Sequence, residues 1–151
     1  MATGKVHVIA TLLTAPTGIF QLPTNKAGFA WAIGCLIATV ITPDLDILDS
    51  SGNYSFYIIR ETFPKLPTIA EKAWSIYWFP YSKIFSHRSF WTHFPVIGTA
   101  IRLVYGAWWL LPLYGIWPRE VAWLVLAVAC CDVMHFVLDW RLWRLVGMFR
   151  Q

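Results

Sequence analysis

The histidines and most of the aspartates of this chain lie in short polar motifs at the edges of apolar segments. Imidazole and carboxylate ligands together suit zinc, manganese or iron. Two ions about 3.5–4 Å apart, bridged by a carboxylate such as Asp44 or Asp46, would use the whole set. We therefore expect a divalent-metal site of one or two ions. The candidate ligands are His7, Asp44, Asp46, His87, His93, His135 and Asp139.

The spacing of the last two ligands places them on one helix face, because His135 and Asp139 are four residues apart. The pair Asp44 and Asp46 cannot share a helix face at a spacing of two. Pro43 disfavours a helix at the residue before it, so this pair is expected on the turn that ends a helix.

The motif around His87 and His93 needs a turn, since residues six apart lie on different faces of a helix. A turn over residues 88–91 would bring both imidazoles to one site. Arg88 lies between them, and its guanidinium suits an anionic substrate group. Arg88 is therefore the candidate catalytic residue.

The composition favours a membrane protein with one domain over residues 1–151. Apolar residues make up 58% of the chain and charged residues 13%, against about 45–50% and 25% in soluble domains. The ten tryptophans and six tyrosines suit the interfacial belts of a bilayer. The alternative is a soluble subunit that is buried in a larger complex.

Four apolar segments without strand-like alternation predict an all-α fold, an integral membrane helical bundle of about four spans. The first two, of roughly 24 Å as helices, are short for a hydrocarbon core of about 30 Å. Tight connections at residues 21–26 and 116–119 predict two helical hairpins. The segments run approximately from Val6 to Phe20, Ala27 to Thr42, Phe94 to Leu113 and Glu120 to Trp140.

The long loop between the second and third segments carries residues 71–79, which could form a short amphipathic helix at the membrane interface. Its anchors would be Trp74, Tyr77 and Trp78. An ordinary packed loop is the alternative interpretation.

The lysines and arginines are distributed unequally between the two sides of a four-span bundle. Nine lie on the side of the termini and the long loop, and Lys26 and Arg119 lie on the other. The positive-inside rule then places the termini and the loop in the cytoplasm. All seven candidate ligands fall at helix ends on that same side, so motifs remote in sequence are expected to converge there.

The net charge of +4 comes from scattered residues, which favours contact with the lipid bilayer rather than with nucleic acid. Asp132 lies inside an apolar segment and needs a partner. Arg102 lies at a similar depth on an antiparallel neighbour, so we expect an Arg102–Asp132 ion pair. The three cysteines show no metal-binding spacing and are expected to be small buried side chains.

The ordered motifs resemble the YdjM-like family of bacterial membrane-bound, metal-dependent hydrolases, especially its cyanobacterial metal-binding relatives. The residues that carry the resemblance are His7, Pro43-Asp44-Leu45-Asp46, His87-Arg88-Ser89, Thr92-His93, His135 and Asp139. The resemblance implies a multi-span protein of the inner or thylakoid membrane with a divalent-metal site. Ile47 stands where relatives often have a further histidine, which leaves one ion as well as two open.

Two functions follow as hypotheses. The first is a metal-dependent hydrolase that acts on a lipid-like or phosphate-bearing substrate at the cytoplasmic face. The second is a non-enzymatic accessory subunit of a larger membrane complex, photosynthetic complexes among them. In the second case aromatic side chains would contact protein or pigment, and histidines would bind a tetrapyrrole or only donate hydrogen bonds.

Overall fold

The N-terminal part of the chain forms a helical hairpin. In the computed structural model, which describes residues 4–46, 67–85 and 90–148, α1 spans Gly4–Gln21 and α2 spans Asn25–Val40. Thr24 caps α2, because its hydroxyl accepts a hydrogen bond from the Ala27 amide at 3.1 Å. This confirms the predicted tight connection between the first two segments.

The remaining described elements are all helical, as the sequence predicts. A 3-10 turn, Pro43–Asp46, follows α2. Then come α3 (Pro67–Ile84), the four-residue α4 (Phe90–His93), α5 (Pro95–Gly106), a 3-10 turn (Trp108–Leu110), α6 (Leu111–Ile116) and α7 (Pro118–Met148). No strand occurs in these ranges. The most extensive packing joins α2 to α7 and α1 to α2.

The third predicted segment is not one continuous helix. It divides into α5, a 3-10 turn and α6. Pro112 lies in the first turn of α6, where a missing N–H is tolerated. In a continuous helix its ring would clash with the preceding turn, so the chain breaks before it. The 12-residue α5 is therefore only about 18 Å long.

Among the described residues, two stretches are by length and composition apolar enough to cross a membrane as helices, Asn25–Leu45 and Pro118–Asp139. Four spans are not shown among the described residues.

The helix expected at residues 71–79 exists as part of α3, but Trp78 is not an interfacial anchor. Its ring is fully buried. It packs with Ile41, Leu45 and Tyr81 in a core that joins α3 to the end of α2. Tyr77 is partly exposed, and its hydroxyl donates to the Tyr105 carbonyl at 2.9 Å. The helix α3 is thus packed against the end of α2 and against α5.

The close approach of α2 and α7 depends on Gly34. A Cβ at Gly34 would lie 2.4 Å from the Leu124 carbonyl oxygen and 2.7 Å from the Ala127 Cβ. Because the nearest atom belongs to backbone, only separation of the helices could relieve the contact. Small residues allow such close helix contacts in membrane bundles.

Gly34→Leu should therefore lower the thermal unfolding temperature of the purified protein, through overpacking that costs about 1–3 kcal/mol or more. Gly115→Ala is the matched control, because a Cβ there meets no described atom within 4 Å. Equal unfolding temperatures for the two variants would contradict the close α2–α7 packing.

Candidate metal centre

Two imidazoles from opposite ends of the sequence stack against each other. His7 lies in the first turns of α1 and His135 lies on α7; both are buried. Their ring centroids are 3.6 Å apart, with 13° between the ring planes. The contact brings the start of α1 to the second half of α7, as the predicted convergence of the ligand motifs requires.

Asp139 joins the two imidazoles. Its Oδ1 accepts a hydrogen bond from His7 Nε2 at 3.1 Å, and its Oδ2 lies 3.4 Å from His135 Nε2. The spacing of four residues on α7 places Asp139 and His135 on one face. The carboxylate is 29% exposed, so it is the member of the group that solvent reaches.

Asp44 supplies a second carboxylate from a third element. It lies in the 3-10 turn after α2, and its Oδ2 is 3.7 Å from His135 Nε2. The turn position agrees with the boundary that Pro43 predicted. Side chains from α1, from the 3-10 turn after α2 and from α7 therefore lie close together.

The geometry of this group fits a metal ion. Ligand atoms of His7, His135 and Asp139 all lie within 4.8 Å of one another. Ligands about 2.0–2.1 Å from a tetrahedral ion are separated by roughly 3.4 Å. The distances from His135 Nε2 to the Asp139 and Asp44 carboxylate oxygens, 3.4 and 3.7 Å, lie around that value.

Two buried ring nitrogens of the group lack a hydrogen bond among the described residues. These are His7 Nδ1 and His135 Nε2. Buried polar atoms are normally paired, so such atoms call for a ligand or a partner. Both histidines line a cavity of about 20 Å³, which is sufficient for one water-sized occupant. The donor set and this space together suit one ion.

A buried ion pair lies beside the cavity and confirms the expected Arg102–Asp132 contact. The Arg102 guanidinium donates to the Asp132 carboxylate, and both side chains are almost fully buried. Thr99 also donates to this carboxylate, while Arg102 Nη1 donates to the Thr92 carbonyl at 2.7 Å. The network ties α4 and α5 to α7, one turn before His135.

The other predicted site residues are not placed. Asp46 ends the 3-10 turn and His93 ends α4, but their side chains lie outside the described part of the structure. His87 and Arg88 lie wholly outside the described residues. The structure thus brings together four of the seven candidate ligands and leaves three without a side-chain position.

Several polar cavity residues did not figure among the sequence candidates. Thr11 and Thr39 line the cavity and are buried. Thr11 follows His7 by four residues, so the helical repeat places both on one face and could have identified it. No comparable spacing signal marks Thr39, which joins the cavity because α2 packs between α1 and α7.

Comparison with known proteins gives a family but no characterised relative. A sequence model of the family described as "Uncharacterized metal-binding protein (DUF2227)" matches residues 2–127. No curated protein and no solved structure matches the chain. The matched range includes His7 and Asp44, whereas His135 and Asp139 follow it. The chain therefore belongs to the DUF2227 family of uncharacterized metal-binding proteins.

Proposed function

We propose that this protein is an integral membrane metal-dependent hydrolase. The observation that carries the proposal is the group of two imidazoles and two carboxylates, in which His7, His135 and Asp44 also line one small cavity. Structural zinc sites are commonly closed by cysteines, whereas catalytic sites use mixed nitrogen and oxygen ligands and keep a position open. Asp44 and Asp139 are 27% and 29% exposed, which leaves the carboxylate side accessible to water and substrate.

The proposed ion is zinc, manganese or iron, and His7, His135, Asp139 and Asp44 would hold it. A bound divalent ion supplies Lewis acidity and an activated water. Asp139 and Arg88 have separate proposed tasks. Asp139 Oδ1 accepts the hydrogen bond of His7 Nε2 and so fixes the orientation of that ring. Arg88 is proposed to bind an anionic oxygen of the substrate.

The proposed location is a bilayer, with the site at the cytoplasmic face. Support comes from the two apolar helices of sufficient length and from large exposed apolar side chains. Phe20 is 84% exposed and Val104 is 76% exposed. Lipid tails would cover such side chains. The excess of lysine and arginine on the side of the site supports the cytoplasmic orientation.

The second candidate is an accessory subunit of a membrane complex, since exposed aromatic residues such as Phe29 and Trp108 also suit a protein partner. Ligation of a tetrapyrrole between the two histidines is less compatible with the structure. Their rings are in direct contact, and Asp139 already faces both Nε2 atoms.

Hydrolysis can be tested on purified protein with two chromogenic probes, a p-nitrophenyl phosphate and a p-nitrophenyl acyl ester. Activity on one of them should disappear with a chelator and return with zinc, manganese or ferrous iron. Asp139→Asn should lower kcat/KM by about 100-fold or more. Losing a residue that only hydrogen-bonds to a metal ligand typically costs 10–100-fold in activity, and losing a ligand itself should cost more.

Glu120→Gln is the control for this experiment, because it removes a carboxylate from the opposite end of α7. It should leave activity unchanged. Stoichiometric metal without chelator-sensitive hydrolysis would reject the hydrolase and favour the accessory subunit. Absence of bound metal would reject the metal centre itself.

A further inference from the structure

Two cysteines from different helices lie together inside the bundle. Cys35 on α2 and Cys131 on α7 have their sulfur atoms 3.8 Å apart, and both side chains are buried. Both thiols are free. Thr14 on α1 completes the group, because its Oγ1 lies 3.4 Å from Cys35 Sγ and 3.5 Å from Cys131 Sγ. Three helices thus bring two sulfurs and one oxygen to one point.

This group is adjacent to the His/Asp cluster but separate from it. Cys131 precedes His135 by one helical turn and lines the same cavity. Thr14 follows His7 by nearly two turns on α1. Thr11, which lines the cavity, lies between His7 and Thr14 on α1.

We propose that Cys35, Cys131 and Thr14 form a second site for a divalent, thiophilic ion of the zinc type. Zinc lies about 2.3 Å from thiolate sulfur, so two sulfurs of a tetrahedral site are separated by roughly 3.8 Å. The observed separation has this value without rearrangement. Thr14 Oγ1 provides a third ligand atom, and the fourth position is open.

The charge balance explains why the ion is divalent. Binding releases one proton from each thiol to solvent, and the two thiolates neutralise the two charges of the ion. The resulting group has no net charge, so its burial avoids the large cost of an isolated charge in an apolar interior. A monovalent ion with two thiolates would leave one negative charge buried. The geometry and the charge therefore indicate the same class of ion.

Cobalt(II) is a suitable probe, since it adopts tetrahedral coordination and its thiolate complexes absorb by sulfur-to-metal charge transfer, which imidazole and carboxylate ligands do not give. The reduced full-length protein, titrated with cobalt, should develop this band with a stoichiometry of one. Zinc should displace the cobalt and abolish the band. Failure of the reduced wild-type protein to give the band at cobalt saturation would overturn the proposal.

Variants separate the two sites. Cys35→Ser and Cys131→Ser should each reduce the band intensity at least twofold, while Cys130→Ser should retain it, because among the described residues the sulfur–sulfur contact joins Cys35 and Cys131. His135→Ala should also retain the band, since the thiol site is independent of the proposed hydrolase. A band that persists in the Cys35→Ser/Cys131→Ser double variant, or that disappears in Cys130→Ser, would contradict the assignment.

Discussion

Replacing His135 with alanine should lower the affinity of the protein for zinc or manganese by at least about 100-fold. His135 faces both carboxylates of the candidate centre, at 3.4 Å from Asp139 and 3.7 Å from Asp44. Its Nε2 is buried without a hydrogen bond among the described residues, so the ring contributes little to the fold through that atom. Loss of outer partners alone typically costs 10–100-fold in metal affinity, and loss of a ligand should cost more.

The measurement is metal content after dialysis, together with calorimetric titration of the metal-free protein. Met134→Ala is the matched control, because it truncates the neighbouring residue on α7 without removing a ligand. His7→Ala should weaken binding as well. If His135→Ala binds metal with the affinity of Met134→Ala, the ion is held elsewhere and the described cluster is not the centre.

Replacing Arg102 with methionine should destabilise the protein by about 3–5 kcal/mol. The substitution keeps most of the side-chain volume but removes the positive charge that pairs with buried Asp132. An unpaired buried charge is far more costly than the pair itself is stabilising. The Thr92 carbonyl would also lose a donor, so the attachment of α4 and α5 to α7 would weaken.

Thermal or denaturant unfolding of the purified protein measures this effect. Arg119→Met serves as the control, since Arg119 is exposed at the start of α7. The double variant Arg102→Met/Asp132→Asn should recover part of the lost stability, because no unpaired charge remains buried. Equal stability of Arg102→Met and Arg119→Met would show that the ion pair does not hold the bundle together.

The sequence determined the helical class and the places where helices turn. Thr24 begins α2 as a cap, and Pro118 begins α7, so both hairpin connections could be predicted from local chemistry. The depth of Arg102 and Asp132 along antiparallel helices predicted their pairing, since a buried charge needs a partner at the same level. These features depend on neighbours along one helix or on the simple counting of helical rise.

Pro112 also marked the break in the third segment, but the apolar residues on both sides of it predicted one continuous helix. Packing against α3 favours glycine at the end of α5. Gly106 meets the Trp78 ring, and a Cβ there would lie 2.7 Å from it. The role of Trp78 could not be predicted, because an aromatic residue has the same pattern at an interface and in a core.

The candidate site, too, was predicted from the sequence only in part. Residue types and spacing alone determined that His7, Asp44, His135 and Asp139 belong to one end of the bundle. Only the tertiary structure decided that the imidazoles stack, that Asp139 faces both, and that Cys35 and Cys131 lie 3.8 Å apart. Helical periodicity fixes the face on which a side chain lies, but the distances between faces depend on how closely helices pack. At the α2–α7 contact that closeness is set by Gly34, which is not itself part of the site.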